Sequence, residues 1–73
     1  MEGLLNTVDR AIQLAKHNGI SLLQLSKNSG INYSTIASAK RRNTQLSVDT
    51  IQRLCDSLNI SLRDYFDNDY PQE

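Results

Sequence analysis

Apolar residues recur at helical spacing in five separate stretches of this chain, and most stretches carry recognisable start or stop signals. Leu5, Val8, Ile12 and Ala15 share one face of a stretch running from about Leu4 to Asn18 and closed by Gly19. Leu22, Leu25 and Ser26 repeat in the same way until Ser29, after which Gly30 can take the left-handed backbone conformation that ends a helix without a Cβ penalty. Beyond it Ile31 turns back toward the core, Asn32 has the side chain of an N-cap, and a new periodic run places Ile36 and Ala39 on one face. A connection of only about three residues forces a sharp crossing, so the helix that follows Gly30 projects from the domain.

The same entry signal occurs four times. An apolar residue precedes a Ser or Asn cap and a second one lies four positions past it, the hydrophobic staple of a helix start. The pairs are Ile20 with Leu25 around Ser21, Ile31 with Ile36 around Asn32, Leu46 with Ile51 around Ser47, and Ile60 with Tyr65 around Ser61. Gln24 and Asp64 stand where a capping box would place its reciprocal partner for Ser21 and Ser61. Helix starts are thus predicted near Leu22, Tyr33, Val48 and Leu62, with the last helix reaching about Asn68. No run alternates with β-branched or aromatic enrichment, and the single proline, Pro71, falls near the end. The chain is predicted to be all-α, a compact bundle of five helices.

Length allows one domain, residues 1–68, followed by a flexible acidic tail at 69–73. A domain of this size buries only about 60% of the surface its unfolded chain exposes, so pairing with a second copy would add stability. No apolar stretch approaches the length of a membrane span or of a signal sequence, and the protein is expected in the cytoplasm. Cys55 is the sole cysteine, one turn after Ile51 and three residues before Leu58, and is predicted to be a small core residue.

The chain carries eight basic and eight acidic residues, a net charge of zero, but the charges are segregated. From Lys27 to Arg53, Lys27, Lys40, Arg41, Arg42 and Arg53 face Asp49 alone, a balance of +4; from Leu54 to Glu73, Arg63 faces Asp56, Asp64, Asp67, Asp69 and Glu73, a balance of −4. Cations at Lys40, Arg41 and Arg42 suit the dipole at a helix C-terminus. Placed just after a projecting helix, they also suit contact with phosphate. No glycine loop could cradle a nucleotide and no Cys/His set has metal spacing. The lone histidine, His17, sits at a helix end where the dipole or solvent accounts for it. No cofactor, metal or small-molecule substrate is expected, and the chain does not read as an enzyme.

Two short helices joined at Gly30, the second turned outward, form the layout of a helix-turn-helix. From about Gly19 to Phe66, through Leu25, Gly30, Ile31, Ser34, Ile36, Ser47, Ile51, Leu54, Leu58, Ile60 and Leu62, the chain resembles the Cro and phage-repressor type of helix-turn-helix proteins, also called XRE-like. It departs from the family's usual pattern at Ser26, where Ala is common, at Ala39, where a larger aliphatic is common, at Lys40 in place of Glu, at Arg42 in place of Gly, and at Leu46 in place of Pro. The resemblance implies a lambda-repressor-like fold in which the third helix, about Tyr33 to Arg41, enters the DNA major groove. It implies that Asn32, Tyr33, Ser34, Ala37 and Ser38 face the bases, with Ile36 and Ala39 turned inward. It also implies that the helix start at Ser21 abuts the backbone, with Lys40, Arg41, Arg42 and Asn43 gripping phosphates on the other side. Tyr33 can reach a phosphate or a base edge, and the Thr35 and Ala37 methyls can meet a thymine methyl. Within the helix's first turns no Arg, Asn or Gln supplies a bidentate pair, so direct readout is expected to be modest and DNA shape to matter.

Two adjacent aromatics, Tyr65 and Phe66, cannot both point inward in so small a domain, and the outward one is a candidate for a two-fold interface. A dimer would set its two recognition helices roughly 34 Å apart on a palindromic operator. The expected function is that of a sequence-specific transcriptional regulator, a phage or prophage repressor, a Cro-like protein or a self-repressing antitoxin. The alternative is the same fold used as a protein-interaction module, such as an adaptor or antirepressor, which zero net charge and the sparse base-reading set leave open.

Overall fold

Five helices follow one another in the computed structural model, which describes residues 6–67 and 69. They are α1 (Thr7–His17), α2 (Leu22–Ser29), α3 (Tyr33–Arg42), α4 (Val48–Leu58) and α5 (Leu62–Phe66), with no strand among the described residues. The predicted starts of α2 to α5 coincide with the observed ones. α1 begins later than expected, because Asn6 leaves helical backbone at ψ 147° and its side chain accepts the Val8 amide at 2.7 Å. Leu4 and Leu5 lie outside the described residues, as do Asn68 and the tail from Tyr70 to Glu73.

Three of the four connections are one repeated unit. In Gly19-Ile20-Ser21, Gly30-Ile31-Asn32 and Asn59-Ile60-Ser61 the first residue is left-handed, with φ of 72°, 71° and 60°. The isoleucine then donates its amide back to a carbonyl in the helix just finished, Ile20 to Ala15, Ile31 to Ser26 and Ile60 to Cys55, at 2.9 to 3.0 Å. This is the Schellman closure. The third residue caps the next helix. Each isoleucine packs against the core, closing one helix and stapling the next with a single side chain. The connection between α3 and α4 is two residues longer, so the two roles separate. Asn43 is left-handed at φ 58°, Thr44 donates to Ala39 at 2.9 Å, and buried Leu46 serves as the staple. Asn43 does at this turn what glycine does elsewhere, since its short polar side chain tolerates the left-handed region. That is why α3 runs on to Arg42 without a glycine to stop it.

The caps are uneven. Ser21, Ser47 and Ser61 accept the amides of Gln24, Thr50 and Asp64, and Ser61 with Asp64 completes the capping box. The expected box at Ser21 is not closed, because the Gln24 carboxamide reaches forward to Asn28 at 2.8 Å. Asn32 has the backbone of a cap but its side chain makes no capping bond.

The core comprises Val8, Ala11, Leu14 and Ala15 of α1, Leu25 of α2, Ile36 and Ala39 of α3, Leu46, Ile51, Leu54 and Cys55 around α4, and Tyr65 of α5. α2 lies in the middle, against α1, α3 and α4. Ser26 is buried, and its hydroxyl spends itself on the Leu23 carbonyl at 2.7 Å, which makes a serine acceptable where an alanine would also fit. Cys55 is fully buried, as its spacing predicts, and its thiol is pushed up to about 11 by that burial, with Asp56 and Asp64 adding to it.

One buried charge has no precedent in the sequence pattern. Arg10, 4% exposed, sends its guanidinium from α1 to the end of α5. Nε donates to the Tyr65 carbonyl at 2.6 Å, and Nη2 donates to those of Asp64 and Asp67 at 2.9 and 2.8 Å. One fork thus meets carbonyls at the C-terminal end of a short helix, that of Asp64 in addition to its bond from the Asp67 amide. This stops α5 at Phe66, short of the expected Asn68, as the backbone turns extended at Asp67 with ψ 114°. No helix of the described residues is long and apolar enough to cross a membrane.

Candidate nucleic-acid interface

α3 presents its side chains in a fixed order around its axis, because each residue advances about 100°. Ile36 and Ala39 are buried and anchor the helix. Directly opposite them come Ser34, Ser38 and Arg41; Tyr33, Ala37 and Lys40 lie on the flank toward α1, and Thr35 and Arg42 on the flank toward α4. Asn32, Tyr33, Ser34 and Thr35 are exposed, whereas Ala37 and Ser38 are half-buried. All five residues expected to face the bases are therefore on one accessible end or side of α3. Ala37 and Ser38 present less surface than the others.

Asn32 gains importance here. Its carboxamide is not used to cap α3 and the residue is exposed, so a group able to pair with adenine stands at the helix entry. Ser21, at the start of α2, accepts the Gln24 amide at 3.0 Å. Helix geometry leaves the Leu22 and Leu23 amides without intrahelical partners, the arrangement that suits a phosphate oxygen.

The basic cluster does not act as one grip. Consecutive residues of a helix diverge by about 100°, so Lys40, Arg41 and Arg42 fan apart. Lys40 Nζ lies 3.5 Å from the Asp9 carboxylate of α1. Arg42 lines a groove of about 300 Å³ on the other flank, with Thr35 and Ser38 of α3, Thr44 of the loop, the α4 cap Ser47, and Thr50 of α4. Arg41 points outward between them. Arg53, also counted in the basic centre, is paired with Asp49 one turn back at 3.3 Å. Among the described residues neither Arg41 nor Arg42 makes an ion pair. Asn43, expected to touch phosphate, is exposed but is first of all the left-handed residue that ends α3.

The loop holding Asn43 is itself fastened to α1. Gln45 Oε1 accepts from both the Thr7 amide at 3.0 Å and the Thr7 hydroxyl at 2.8 Å, and the Leu46 amide donates to that hydroxyl at 2.8 Å. The direction of α3 is therefore set at both ends, by the Gly30 turn and by Thr7. Asp9, Thr7 and the groove residues Thr44 and Thr50 escape sequence reasoning, and Ser47 is legible there only as a cap. The contacts of Thr7 and Asp9 with this region cross more than thirty residues and leave no periodic trace.

The aromatic pair divides as packing requires. Tyr65 is fully buried and Phe66 is 54% exposed, their rings edge to face with centroids 5.4 Å apart. Of the two residues considered for a two-fold interface, Tyr65 has no surface to offer, and its hydroxyl donates to the Thr7 carbonyl at 2.7 Å inside the fold. Only the Phe66 ring stands at the surface.

Residues 12–67, most of the chain, match the family described as the Cro/C1-type HTH DNA-binding domain, and the chain belongs to that family. No curated protein and no solved structure matches it.

Proposed function

We propose that this member of the Cro/C1-type helix-turn-helix family is a sequence-specific transcriptional regulator of the phage-repressor or Cro kind, which inserts α3 in the major groove of a palindromic operator as a homodimer. The observation that carries the proposal is the outward pole of α3. Ser34, Ser38 and Arg41 stand opposite the buried Ile36 and Ala39, with the uncommitted Asn32 side chain at the helix entry. Small hydroxyls at the centre admit close approach to base edges. Asn32 supplies an amide able to make a bidentate pair at the helix entry, and Arg41 and Arg42 supply charge for the two flanking strands. The start of α2 at Ser21 adds a backbone phosphate site. Phe66, exposed beside the buried Tyr65, is the apolar contact offered for the two-fold interface.

Selection of bound sites from a random DNA pool tests this directly. A palindromic consensus with half-sites about 10 base pairs apart, or a multiple of that, is the expected result. Absence of any enrichment would overturn it in favour of a protein-docking use of the same surface, where exposed Tyr33 and Leu23 would be the contacts.

A further inference from the structure

Among the described residues, only Lys40 of the three consecutive cations that end α3 is met by a carboxylate. Its partner, Asp9, stands in the first turn of α1, a position where a negative charge also suits the helix dipole. The pair is long at 3.5 Å and open to water, with the two side chains 57% and 52% exposed. An ion pair of this kind is weak and exchanges readily. Lys40 is a point charge on a flexible four-carbon stem that can swing to a new oxygen without moving the backbone. Asp9, by contrast, is short and stays on α1.

We infer that Asp9 is an affinity-setting residue of the DNA interface: its carboxylate competes with a DNA phosphate for the Lys40 ammonium and so holds binding below what the cations of α3 could give. The inference rests on the DNA-binding function proposed above. In the free protein the Asp9 carboxylate partly offsets the Lys40 charge. On DNA the ammonium must leave Asp9, and the cost of breaking that pair is subtracted from the contact it makes. Asp9 thus tunes affinity through one side chain and touches no base, which lowers binding to all sequences alike and leaves discrimination among them to the base-facing residues of α3 and its entry.

Binding of the full chain to a short mixed-sequence DNA duplex, measured over a range of salt for the wild type, Asp9→Asn, Lys40→Ala and the double variant, tests the inference. Asp9→Asn is expected to tighten binding by about twofold to fivefold at low salt. Its salt slope should be unchanged, since the number of phosphates neutralised stays the same. Lys40→Ala is expected to lower the slope by about 0.9. In the Lys40→Ala background Asp9→Asn should have no further effect. A tightening that persists in that background would show the carboxylate acting on DNA without Lys40, and would overturn the inference. So would an unchanged affinity in Asp9→Asn, with DNA binding itself left intact. Failure of the wild type to bind duplex at any salt would instead remove the DNA-binding function, and this inference with it. Matching unfolding midpoints for the four proteins ensure that affinities are compared between equally folded chains.

Discussion

Arg10 and Tyr65 clasp α1 to α5 in both directions: the guanidinium Nε donates to the Tyr65 carbonyl at 2.6 Å, and the Tyr65 hydroxyl donates to the Thr7 carbonyl at 2.7 Å. Arg10 donates to three backbone carbonyls of the α5 end, of which that of Asp64 also accepts the Asp67 amide. Arg10→Met fills similar space but removes the guanidinium from all three carbonyls, and is expected to destabilise the domain by about 2–4 kcal/mol, read as a lower urea midpoint. Arg10→Lys should recover only part of this, because an ammonium cannot reproduce the fork. Tyr65→Phe, losing one bond, should cost about 1 kcal/mol.

The caps should respond unequally to the same substitution. Ser47→Ala removes a hydroxyl that accepts the Thr50 amide at 3.2 Å, and is expected to cost about 1 kcal/mol. Asn32→Ala removes a side chain that makes no capping bond, so its stability should stay close to wild type while DNA affinity falls. Chemical denaturation of the two variants side by side checks the contrast; an equal loss at both would show that Asn32 does cap α3 in solution.

Gly30 is needed for its backbone and not for its lack of volume. A Cβ placed there would meet nothing within 4 Å, yet φ is +71°. Gly30→Ala is therefore expected to cost about 1–2 kcal/mol through backbone strain alone, a drop in Tm of several degrees for a domain this small. Asn43→Gly, at the same left-handed conformation, should be neutral or slightly stabilising.

Arg41 should carry a phosphate contact that is purely electrostatic. It lies opposite the buried face of α3 and has no ion pair among the described residues. Arg41→Ala is expected to weaken binding to all duplex sequences by a similar factor and to reduce the slope of log affinity against log salt by about 0.9. An unchanged slope would place Arg41 away from the DNA.

Stability should decline in alkali. Burial raises the Cys55 thiol to about 11 from the ordinary 9.0, so between these values the folded state keeps a proton that the unfolded chain releases. Unfolding is then favoured progressively as pH climbs from about 9 to 11, and stability from this group is complete below that window. Tyr65 acts in the same sense at higher pH, pushed up chiefly by burial and by Cys55, with Arg10 opposing. Cys55→Ala should flatten the loss between pH 9 and 11, measured as unfolding midpoint against pH. The same burial should keep the thiol inert to alkylation until the protein unfolds.

The helices were legible because their signals are local. Ser21, Ser47 and Ser61 bond amides three residues away, and Gly19 and Gly30 act at their own positions. Asn59 and Asn43 were missed as helix ends, since asparagine is only an occasional left-handed residue and nothing in its spacing says when it will be one. The α1 start was misplaced because Leu5 continues the apolar period beyond Asn6, and periodicity does not register the cap that interrupts it.

The sequence by itself determined an all-α bundle of five helices, the helix-turn-helix at Gly30 and the inward face of α3, because caps, turns and apolar period are all written within one or two turns of chain. Only the tertiary structure decided how the charges are used. Arg10, one cation among eight in the sequence, became the buried fork that ends α5, across more than fifty residues. Lys40, Arg41 and Arg42, contiguous in sequence, were sent to a carboxylate, to solvent and to a groove. A charge is governed by whatever the packed helices bring within a few ångströms of it, and those neighbours are set by the fold as a whole.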